Sequence, residues 1–401
     1  MTLHRPHDAR EIAEIVRHAG AENHTLEIVA GGSKRAFGRP VRAAQQLNLS
    51  KLAGLVSYEP RELVLTARPG APLADIDEAL RAEGQMLAFE PPQWLNLLGG
   101  AGTPTLGGVL ACNLSGPRRL RAGAARDFIL GFSAVNGRGE MFKAGGKVVK
   151  NVTGFDLSKL MVGSFGALAI LTEVTLKVAP RPETQCTLLL SGLSDAKAFD
   201  VMARALNTPH EISAAAHLPE LSARRAHLAA EGPLTALRLE GPAPSVAYRA
   251  AETEKLFGGG VRLEAEASAL FWREVAEVRA LLPDGAPLVW RVCPTPSRAA
   301  AIVAAVREKL PGAEALYDWG GGLVWLSLDP AEAGPDCGAA IVRGALDGHG
   351  HATLAVAPET ARANVEVFQP VEPALAALEA RVKAGFDPLG LFNPGRMREG
   401  V

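Results

Sequence analysis

A strand-like run that ends in two glycines has the residue types that bind phosphate. Residues 26–30 are mostly apolar and predict a short buried strand. The five positions after it are Gly31, Gly32, Ser33, Lys34 and Arg35. Backbone N–H groups in a turn form an anion-binding hollow, and nearby cations add charge. The run predicts a diphosphate site, although a Gly-Gly turn with a solvated lysine would read the same.

A second stretch, residues 103–170, is rich in glycine and poor in long helical patterns. Glycine recurs there, among other positions, at Gly107, Gly108, Gly116, Gly123, Gly131, Gly137, Gly145, Gly146, Gly154, Gly163 and Gly166. Glycine is tolerated where the chain turns with positive φ or where another backbone comes close. This density predicts a backbone wrapped around a large, flat, anionic ligand. A turn-rich β region with nothing bound is the alternative.

The elements that must position these loops alternate between helix and strand. Residues 8–19 have apolar side chains at helical spacing, and residues 168–178 alternate as a long strand. Early alternation of this kind indicates an α+β or α/β layered fold. No G-x-G-x-x-G run opens a helix after a strand, so a Rossmann fold is not supported.

The length and one proline-rich break predict two domains. A chain of 401 residues exceeds the roughly 250 residues at which one core usually divides. Residues 179–182 read Ala-Pro-Arg-Pro and end the predicted strand. We predict a first domain over 1–181, a second over 182–384, and a segment over 385–401 that returns to the first. In the second, predicted helices lie at 195–206, 245–257, 267–282, 296–310, 335–346 and 372–384.

Composition excludes several classes of function. The net charge is −1, so no overall field attracts nucleic acid or an anionic membrane. The local basic run over residues 118–121 reads as a solvated loop. The four cysteines have no C-x-x-C spacing, so neither a metal site nor an iron–sulfur cluster is indicated. Without a signal peptide or an apolar run of about 18 residues, we expect a cytoplasmic protein with no transmembrane segment.

Four ordered blocks in the glycine-rich stretch resemble a known flavoprotein family. They comprise Thr105, Gly107, Gly108, Ala111, Asn113 and Gly116; then Arg126, Asp127, Leu130 and Gly131; then Lys150, Asn151, Thr153, Gly154, Phe155, Asp156 and Leu157; then Gly163, Ser164, Gly166, Leu168 and Ile170. The segment resembles the FAD-binding half of the vanillyl-alcohol-oxidase/p-cresol-methylhydroxylase (PCMH-type) family. The tail over residues 386–397 is similar to that family's closing motif.

The resemblance implies a two-part PCMH-type FAD-binding domain followed by a ferredoxin-like α+β cap domain. It implies FAD bound without a covalent link, because the first loop has no histidine. The implied cofactor-binding residues are Gly31, Gly32, Ser33, Lys34, Arg35, Pro104, Thr105, Gly107, Gly108, Asn113, Gly116, Lys150, Asn151, Gly154, Asp156, Ala169 and Ile170. Lys147 or Lys150 would offset charge on the reduced flavin, unless they are surface cations.

The resemblance also implies oxidation of a small 2-hydroxy acid, which needs a carboxylate clamp and a base. Arg291 is the best clamp, because a guanidinium binds a carboxylate with two parallel hydrogen bonds; a structural ion pair is the alternative. His351 could act as the base, and a solvated loop histidine is the alternative. Trp319 and Trp325 would line the cap pocket or fill its core.

The family resemblance is strongest to the flavin-carrying subunits of bacterial glycolate oxidase. Family members that oxidise 2-hydroxy acids alone have a histidine-rich metal site, which this sequence lacks. We therefore expect glycolate oxidation within a hetero-oligomer that contains a second FAD-linked oxidase subunit and an iron–sulfur subunit. Peripheral attachment to the inner membrane face through those partners stays open. The alternatives are a self-sufficient FAD oxidoreductase and a flavin-free structural subunit.

Overall fold

The computed structural model describes residues 2–146, 155–226, 232–282 and 287–400. The first elements are β1 (Thr2–His4), α1 (Ala9–Ala21), β2 (Leu26–Val29), β3 (Gln45–Asn48), β4 (Leu55–Glu59), β5 (Val64–Ala67), α2 (Leu73–Ala82), β6 (Gln85–Met86), α3 (Leu106–Ala111), α4 (Arg119–Ala122), β7 (Ile129–Val135), β8 (Met141–Gly145), α5 (Leu157–Met161), β9 (Ile170–Lys177) and β10 (Ala179–Pro180).

The remaining elements follow the predicted break at residues 179–182. They are β11 (Thr184–Ser191), α6 (Asp195–Leu206), β12 (Ala214–Leu218), α7 (Glu220–Arg225), β13 (Leu234–Gly241), α8 (Ala243–Phe257), β14 (Val261–Glu264), α9 (Ala265–Ala276), β15 (Leu288–Pro294), α10 (Ala299–Lys309), β16 (Glu314–Asp318), β17 (Leu323–Leu328), α11 (Pro330–Ala333), α12 (Ala339–Leu346), β18 (Gly350–Val356), α13 (Glu359–Asn364) and α14 (Pro373–Phe386).

The chain divides into two compact units that are not continuous in sequence. Unit 1 comprises Met1–Ser115, Ala124–Arg181 and Pro370–Val401. Unit 2 comprises Gly116–Gly123 and Pro182–Gln369. Two details differ from the predicted division. The short basic segment Gly116–Gly123, part of the glycine-rich stretch, belongs to unit 2. The chain returns to unit 1 at Pro370, before α14, whereas the sequence predicted that it returns at residue 385.

Unit 1 contains a five-stranded antiparallel sheet and a three-stranded parallel sheet. The strand orders are β4-β5-β9-β7-β8 and β1-β3-β2. Asp8 caps the N-terminus of helix α1, because its carboxylate accepts hydrogen bonds from the N–H groups of Arg10 and Glu11. Its buried side chains, with Ile12 and Val16 fully buried, join a core that includes Phe392 from the C-terminal tail. The tail is therefore part of the core of unit 1.

Unit 2 is built on one eight-stranded sheet with the order β14-β11-β13-β12-β16-β17-β15-β18. Each half has a strand, a helix, two strands, a helix and a strand in that order, with the short helix α7 inserted between β12 and β13 and the short helix α11 before α12. Neighbouring strands within each half are antiparallel. This is the ferredoxin-like arrangement. The two halves join where His217 of β12 pairs with Tyr317 of β16.

The mixed α+β class is confirmed, whereas several predicted boundaries are wrong. The helix predicted over 267–282 ends at Ala276, because Val278 adopts a left-handed conformation with φ 57°. The helix predicted over 335–346 begins only at Ala339, after Gly338 with φ 77°. Strand β12 was missed because its alanine-rich sequence lacks the β-branched residues that favour strands.

The prediction of a solvated loop for the basic run at residues 118–121 is wrong for two of its three arginines. Arg118 pairs with Glu240, and these side chains are 12% and 9% exposed. The guanidinium of Arg119 lies 4.3 Å from the centroid of the Trp319 ring. Both contacts lie within unit 2, so this segment is anchored by its side chains.

Candidate cofactor-binding site

A cleft in unit 1 is lined by the predicted phosphate loop together with three other segments. The cleft holds about 910 Å³ of unfilled space, including its open mouth. Its lining includes Gly31, Gly32, Ser33, Lys34, Arg35, Thr105, Gly107, Gly108, Ala111, Cys112, Ser164, Phe165, Gly166, Ala169, Ile170, Asn393 and Arg396. Four segments distant in sequence therefore meet at one cleft.

The loop after β2 is held in place by close backbone contact. The N–H of Thr103 donates to the carbonyl of Gly31 at 2.8 Å. A Cβ atom on Gly31 would lie 1.9 Å from the carbonyl oxygen of Thr103, so no larger residue fits here without moving the backbone. The next residue, Gly32, has φ 81°, which favours glycine.

The two cations of this loop have different surroundings. Lys34 is buried, and its Nζ donates to Ser33 Oγ at 3.0 Å and to the carbonyl of Gln93. Arg35 donates from Nε and Nη2 to the carboxylate of Glu27 at 2.9 and 2.8 Å. The charge of Arg35 is therefore offset by a carboxylate, and the ammonium of Lys34, held by Ser33 and Gln93, is the candidate for an anion.

Arg396 fastens the loop from behind by binding its carbonyl oxygens. Nη2 donates to the carbonyls of Lys34 at 3.0 Å and Phe37 at 2.6 Å. Nη1 donates to the carbonyls of Arg35 at 3.0 Å and Arg39 at 2.8 Å. Four acceptors of one loop are thus held by a single buried guanidinium, which fixes the path of its backbone.

Helix α3 lies beside this loop. The hydroxyl of Thr105 caps the helix by accepting from the N–H of Gly108 at 3.4 Å. A Cβ on Gly107 would lie 2.8 Å from the side chain of Pro69, so Gly107 permits close packing. A Cβ on Gly108 would meet only ordinary contacts, at 3.4 and 3.5 Å.

The tail and the segment after α5 complete the cleft. The side chain of Asn393 donates to the carbonyl of Phe165 and accepts from the N–H of Ile28, both at 2.8 Å. It therefore joins β2 to the segment that contains Ala169 and Ile170. Neither Asn393 nor Arg396 was predicted as a site residue. The resemblance of residues 386–397 to the family's closing motif was the signal that could have indicated them.

Cys112 lies at the cleft but is a poor nucleophile. Burial raises the pKa of its thiol to about 11, and the positive charges of Arg396 and Lys34 offset only part of that effect. Ionised thiolate is the reactive form of cysteine. This cysteine therefore belongs to the packing of the site.

Several predicted cofactor residues do not line the cleft. The carbonyl of Pro104 accepts from Leu73 N at 3.0 Å, and the side-chain oxygen of Asn113 accepts from Arg126 N at 3.3 Å. Gly116 belongs to unit 2, where its carbonyl accepts from the Trp319 indole at 3.0 Å. Asp156 caps α5. Lys147, Lys150, Asn151 and Gly154 lie outside the described residues.

Unit 2 holds the two residues predicted for the substrate. Arg291 lies on β15, and His351 lies on the neighbouring strand β18, where it pairs with Cys293. The loop position given as the alternative for His351 is therefore wrong, although the residue is exposed; its role as a base stays a prediction. In the described part of the chain, the Arg291 guanidinium packs on Trp319 at 5.3 Å and pairs with no carboxylate. No carboxylate of the described residues therefore supports the alternative of a structural ion pair for Arg291.

The fold and the cleft define a PCMH-type FAD-binding protein. A family model described as an FAD binding domain matches residues 2–145. The solved structure of p-cresol methylhydroxylase with substrate bound has the same fold, with a TM-score of 0.73 at 15% identity, over 99% of this chain and 88% of that chain.

Curated relatives extend the similarity along the whole chain. The Escherichia coli glycolate oxidase subunit GlcE is 36% identical over 389 residues, which is 97% of this chain and 97% of that protein. The Bacillus subtilis glycolate oxidase subunit GlcD is 32% identical over 187 residues, 46% of this chain and 38% of that protein. The chain belongs to the GlcE family of FAD-linked oxidases. It is an FAD-dependent oxidoreductase that acts on CH–OH groups.

Two further properties bear on function. Among residues 2–146, 155–226, 232–282 and 287–400, no group of three or more histidine, cysteine, aspartate or glutamate side chains could hold a metal ion. Across the same ranges, every helix is too short or too polar to cross a bilayer.

Proposed function

We propose that this chain is the FAD-binding subunit of a glycolate oxidase complex. It oxidises glycolate to glyoxylate and passes the electrons through its flavin to partner subunits. The observation that carries the proposal is the similarity to Escherichia coli GlcE, which extends over 97% of both chains. Similarity over both units supports a shared role, because it includes the part of the chain that lies outside the cofactor-binding unit.

The cleft of unit 1 is the proposed site of the FAD diphosphate. Bound FAD supplies the chemistry of two-electron oxidation, and the protein supplies position and charge. The carbonyls of the loop over residues 34–39 are held by Arg396. With these acceptors occupied, the N–H groups of the turn and the ammonium of Lys34 are the groups suited to an anion.

The proposed substrate contacts lie on unit 2. Arg291 would bind the carboxylate of glycolate, and His351 would accept the hydroxyl proton. A half-buried guanidinium that packs on an aromatic ring without a carboxylate partner in the described chain supports the first role. The role of His351 as the base is supported by its place on β18, the strand that pairs with the β15 strand of Arg291.

The proposed partners are a second FAD-linked oxidase subunit and an iron–sulfur subunit. Both glycolate oxidase relatives are named as subunits, which supports an assembly of more than one chain. An electron acceptor is required because the reduced flavin must be reoxidised after each turnover. We propose that the assembly is cytoplasmic and that it contacts the membrane only through its partners.

Purification of the chain with and without its partners tests this function. We expect one FAD per chain, glycolate-dependent dye reduction only in the reconstituted complex, and release of the FAD by denaturation. Bleaching of the flavin by glycolate in the isolated chain would instead establish a self-sufficient oxidoreductase. A colourless protein that fails to bind added FAD would contradict both readings.

Two matched variants test the FAD site. Lys34→Met should weaken FAD binding by at least about tenfold, because a charged hydrogen-bond donor contributes roughly 1.5–3 kcal/mol. Arg35→Met combined with Glu27→Gln should change the affinity by less than about threefold, because the pair is removed without a change in net charge. Quenching of flavin fluorescence measures both affinities. Equal losses in the two variants would contradict the assignment of Lys34.

A further inference from the structure

Three chemically active side chains lie together on the last two strands of the unit 2 sheet, β15 and the edge strand β18. Arg291 and Cys293 are two residues apart on β15, so their side chains share a face, and the intervening Val292 belongs to the helix-covered core. Across the strand pair, Cys293 is opposite His351. Arg291 and Cys293 are half-buried and His351 is exposed, so a small molecule in solution can reach the group.

The guanidinium of Arg291 is held in place but not neutralised. Its carbon lies 5.3 Å from the centroid of the Trp319 ring, and Arg119 packs on the same ring at 4.3 Å. The Trp319 indole donates to the carbonyl of Gly116 at 3.0 Å, which fixes the ring. Two cations thus meet at one fixed ring, and in the described chain no carboxylate pairs with Arg291.

Cys293 differs from the other cysteines in its electrostatic surroundings. Burial raises the pKa of its thiol, but the charge of Arg291, a hydrogen bond from His351 and the charge of Arg119 outweigh burial and lower it to about 7. The thiols of Cys112 and Cys186 have their pKa raised to about 11, chiefly by burial. A thiolate is the nucleophilic form of cysteine.

We propose that Arg291, Cys293 and His351 form a site that captures small 2-oxo acids, with Arg291 binding the carboxylate and Cys293 adding to the neighbouring carbonyl carbon. The choice of a 2-oxo acid rests on the proposed function, because oxidation of a 2-hydroxy acid yields one. The site would therefore let the product of the reaction occupy and slow the enzyme.

The addition is reversible and involves no net oxidation. The sulfur of Cys293 forms a bond to C2 of the acid, and the electron pair of the C2–O π bond moves to the oxygen. The thiol proton passes through the ring of His351 to that oxygen. The product is a hemithioacetal when the acid is an aldehyde, as with glyoxylate, and it reverts by the opposite steps.

Alkylation of the FAD-loaded protein tests the site without using activity. Iodoacetate carries a carboxylate beside its reactive carbon, whereas iodoacetamide does not. We expect Cys293 to react with iodoacetate with saturation, and at least about tenfold faster relative to iodoacetamide than the free thiol N-acetylcysteine does, since an arginine–carboxylate pair is a strong charged hydrogen bond. Peptide mass spectrometry measures each cysteine separately.

Charge variants identify the binding group. Arg291→Met should abolish the preference for iodoacetate, and Arg291→Lys should retain part of it. Arg262→Met is the control, because Arg262 lies on β14 at the other edge of the sheet and pairs with Glu254. It should leave the preference of Cys293 for iodoacetate unchanged. An unchanged preference in Arg291→Met, or no preference in the unaltered protein, would overturn the proposal.

Glyoxylate tests the covalent step. Glyoxylate should protect Cys293 from iodoacetamide at concentrations where acetaldehyde, which has no carboxylate, gives no protection. The ¹³C NMR spectrum of the protein with ¹³C-labelled glyoxylate should show a hemithioacetal carbon, and that signal should be absent in Cys293→Ser. Equal protection by the two aldehydes, or a spectrum that Cys293→Ser leaves unchanged, would overturn it. The FAD content of each sample is measured alongside. If the proposed function is wrong, the protein will lack flavin; if only the capture site is wrong, the protein will bind flavin but Cys293 will show no preference for reagents that have a carboxylate.

Discussion

Arg396 donates from Nη2 to the main-chain oxygen of Lys34 at 3.0 Å, across 362 positions of sequence. The same guanidinium binds three further carbonyls of the loop over residues 34–39. The C-terminal tail therefore determines the shape of a loop that lies near the N-terminus. The proposed phosphate site depends on this contact as much as on the glycines before it.

Replacement of Arg396 should weaken the cofactor site. Arg396→Met removes four hydrogen bonds from a charged donor, so we expect FAD affinity to fall by about ten- to a hundredfold. Arg398→Met is the matched control, because Arg398 pairs with Glu379 and should alter the affinity by less than about threefold. Flavin fluorescence titration gives both values. Normal affinity in Arg396→Met would show that the loop keeps its shape without the tail.

Addition of one methyl group to the phosphate loop should destabilise unit 1. A Cβ on Gly31 would lie 1.9 Å from the backbone oxygen of Thr103, so we expect Gly31→Ala to lower the free energy of unfolding by about 2–4 kcal/mol. Gly146→Ala is the control, because no atom of the residues that the structure describes lies within 4 Å of its added Cβ. Urea denaturation measures the change. Equal stability of the two variants would argue against the close approach at Thr103.

Asp195 should make unit 2 sensitive to acid. Burial raises the pKa of its carboxyl, but hydrogen bonds from His217 and Tyr317 and the charge of Arg307 outweigh burial and lower it to about 2. A lowered pKa means that the folded state holds its proton less tightly than the unfolded state. The stabilisation is complete above the ordinary value of 3.8 and disappears as pH falls towards about 2.

The measurement compares the unaltered protein with Asp195→Asn from pH 6 down to pH 2. The difference in unfolding free energy should shrink by about 2 kcal/mol over that range, since one pKa unit corresponds to about 1.36 kcal/mol. The window of loss should lie mostly below pH 4. A difference that stays constant with pH would mean that Asp195 titrates normally in the folded protein.

The buried pair between Arg118 and Glu240 should stabilise unit 2. The two side chains are joined at 3.1 and 2.5 Å. After Arg118→Met the Glu240 carboxylate still lies 3.6 Å from Arg238 Nε, so we expect a loss of about 2–3 kcal/mol in the free energy of unfolding. Arg121→Met removes a pair in which both side chains are 61% exposed and should cost less than about 1 kcal/mol. Thermal denaturation distinguishes the two.

The sequence alone determined the class of fold and the first part of the site. Helical spacing located α6 at the predicted residues 195–206, because an amphipathic pattern is a local property. The ordered glycine blocks led to FAD, since loops that approach a cofactor closely require small residues at defined spacing. Residues 31–35, Thr105, Gly107, Gly108, Ala169 and Ile170 all line the cleft.

Only the tertiary structure decided which distant side chains serve the site and which residues share a unit. Arg396 and Asn393 reach the cleft because the tail packs in the core of unit 1, and Gly116 is drawn into unit 2 by its bond to Trp319. The neighbourhood of Cys293 arises from strand pairing with His351, 58 positions away by residue number. Pairing between distant segments depends on burial and hydrogen bonding across the folded chain, which no local pattern of residues records.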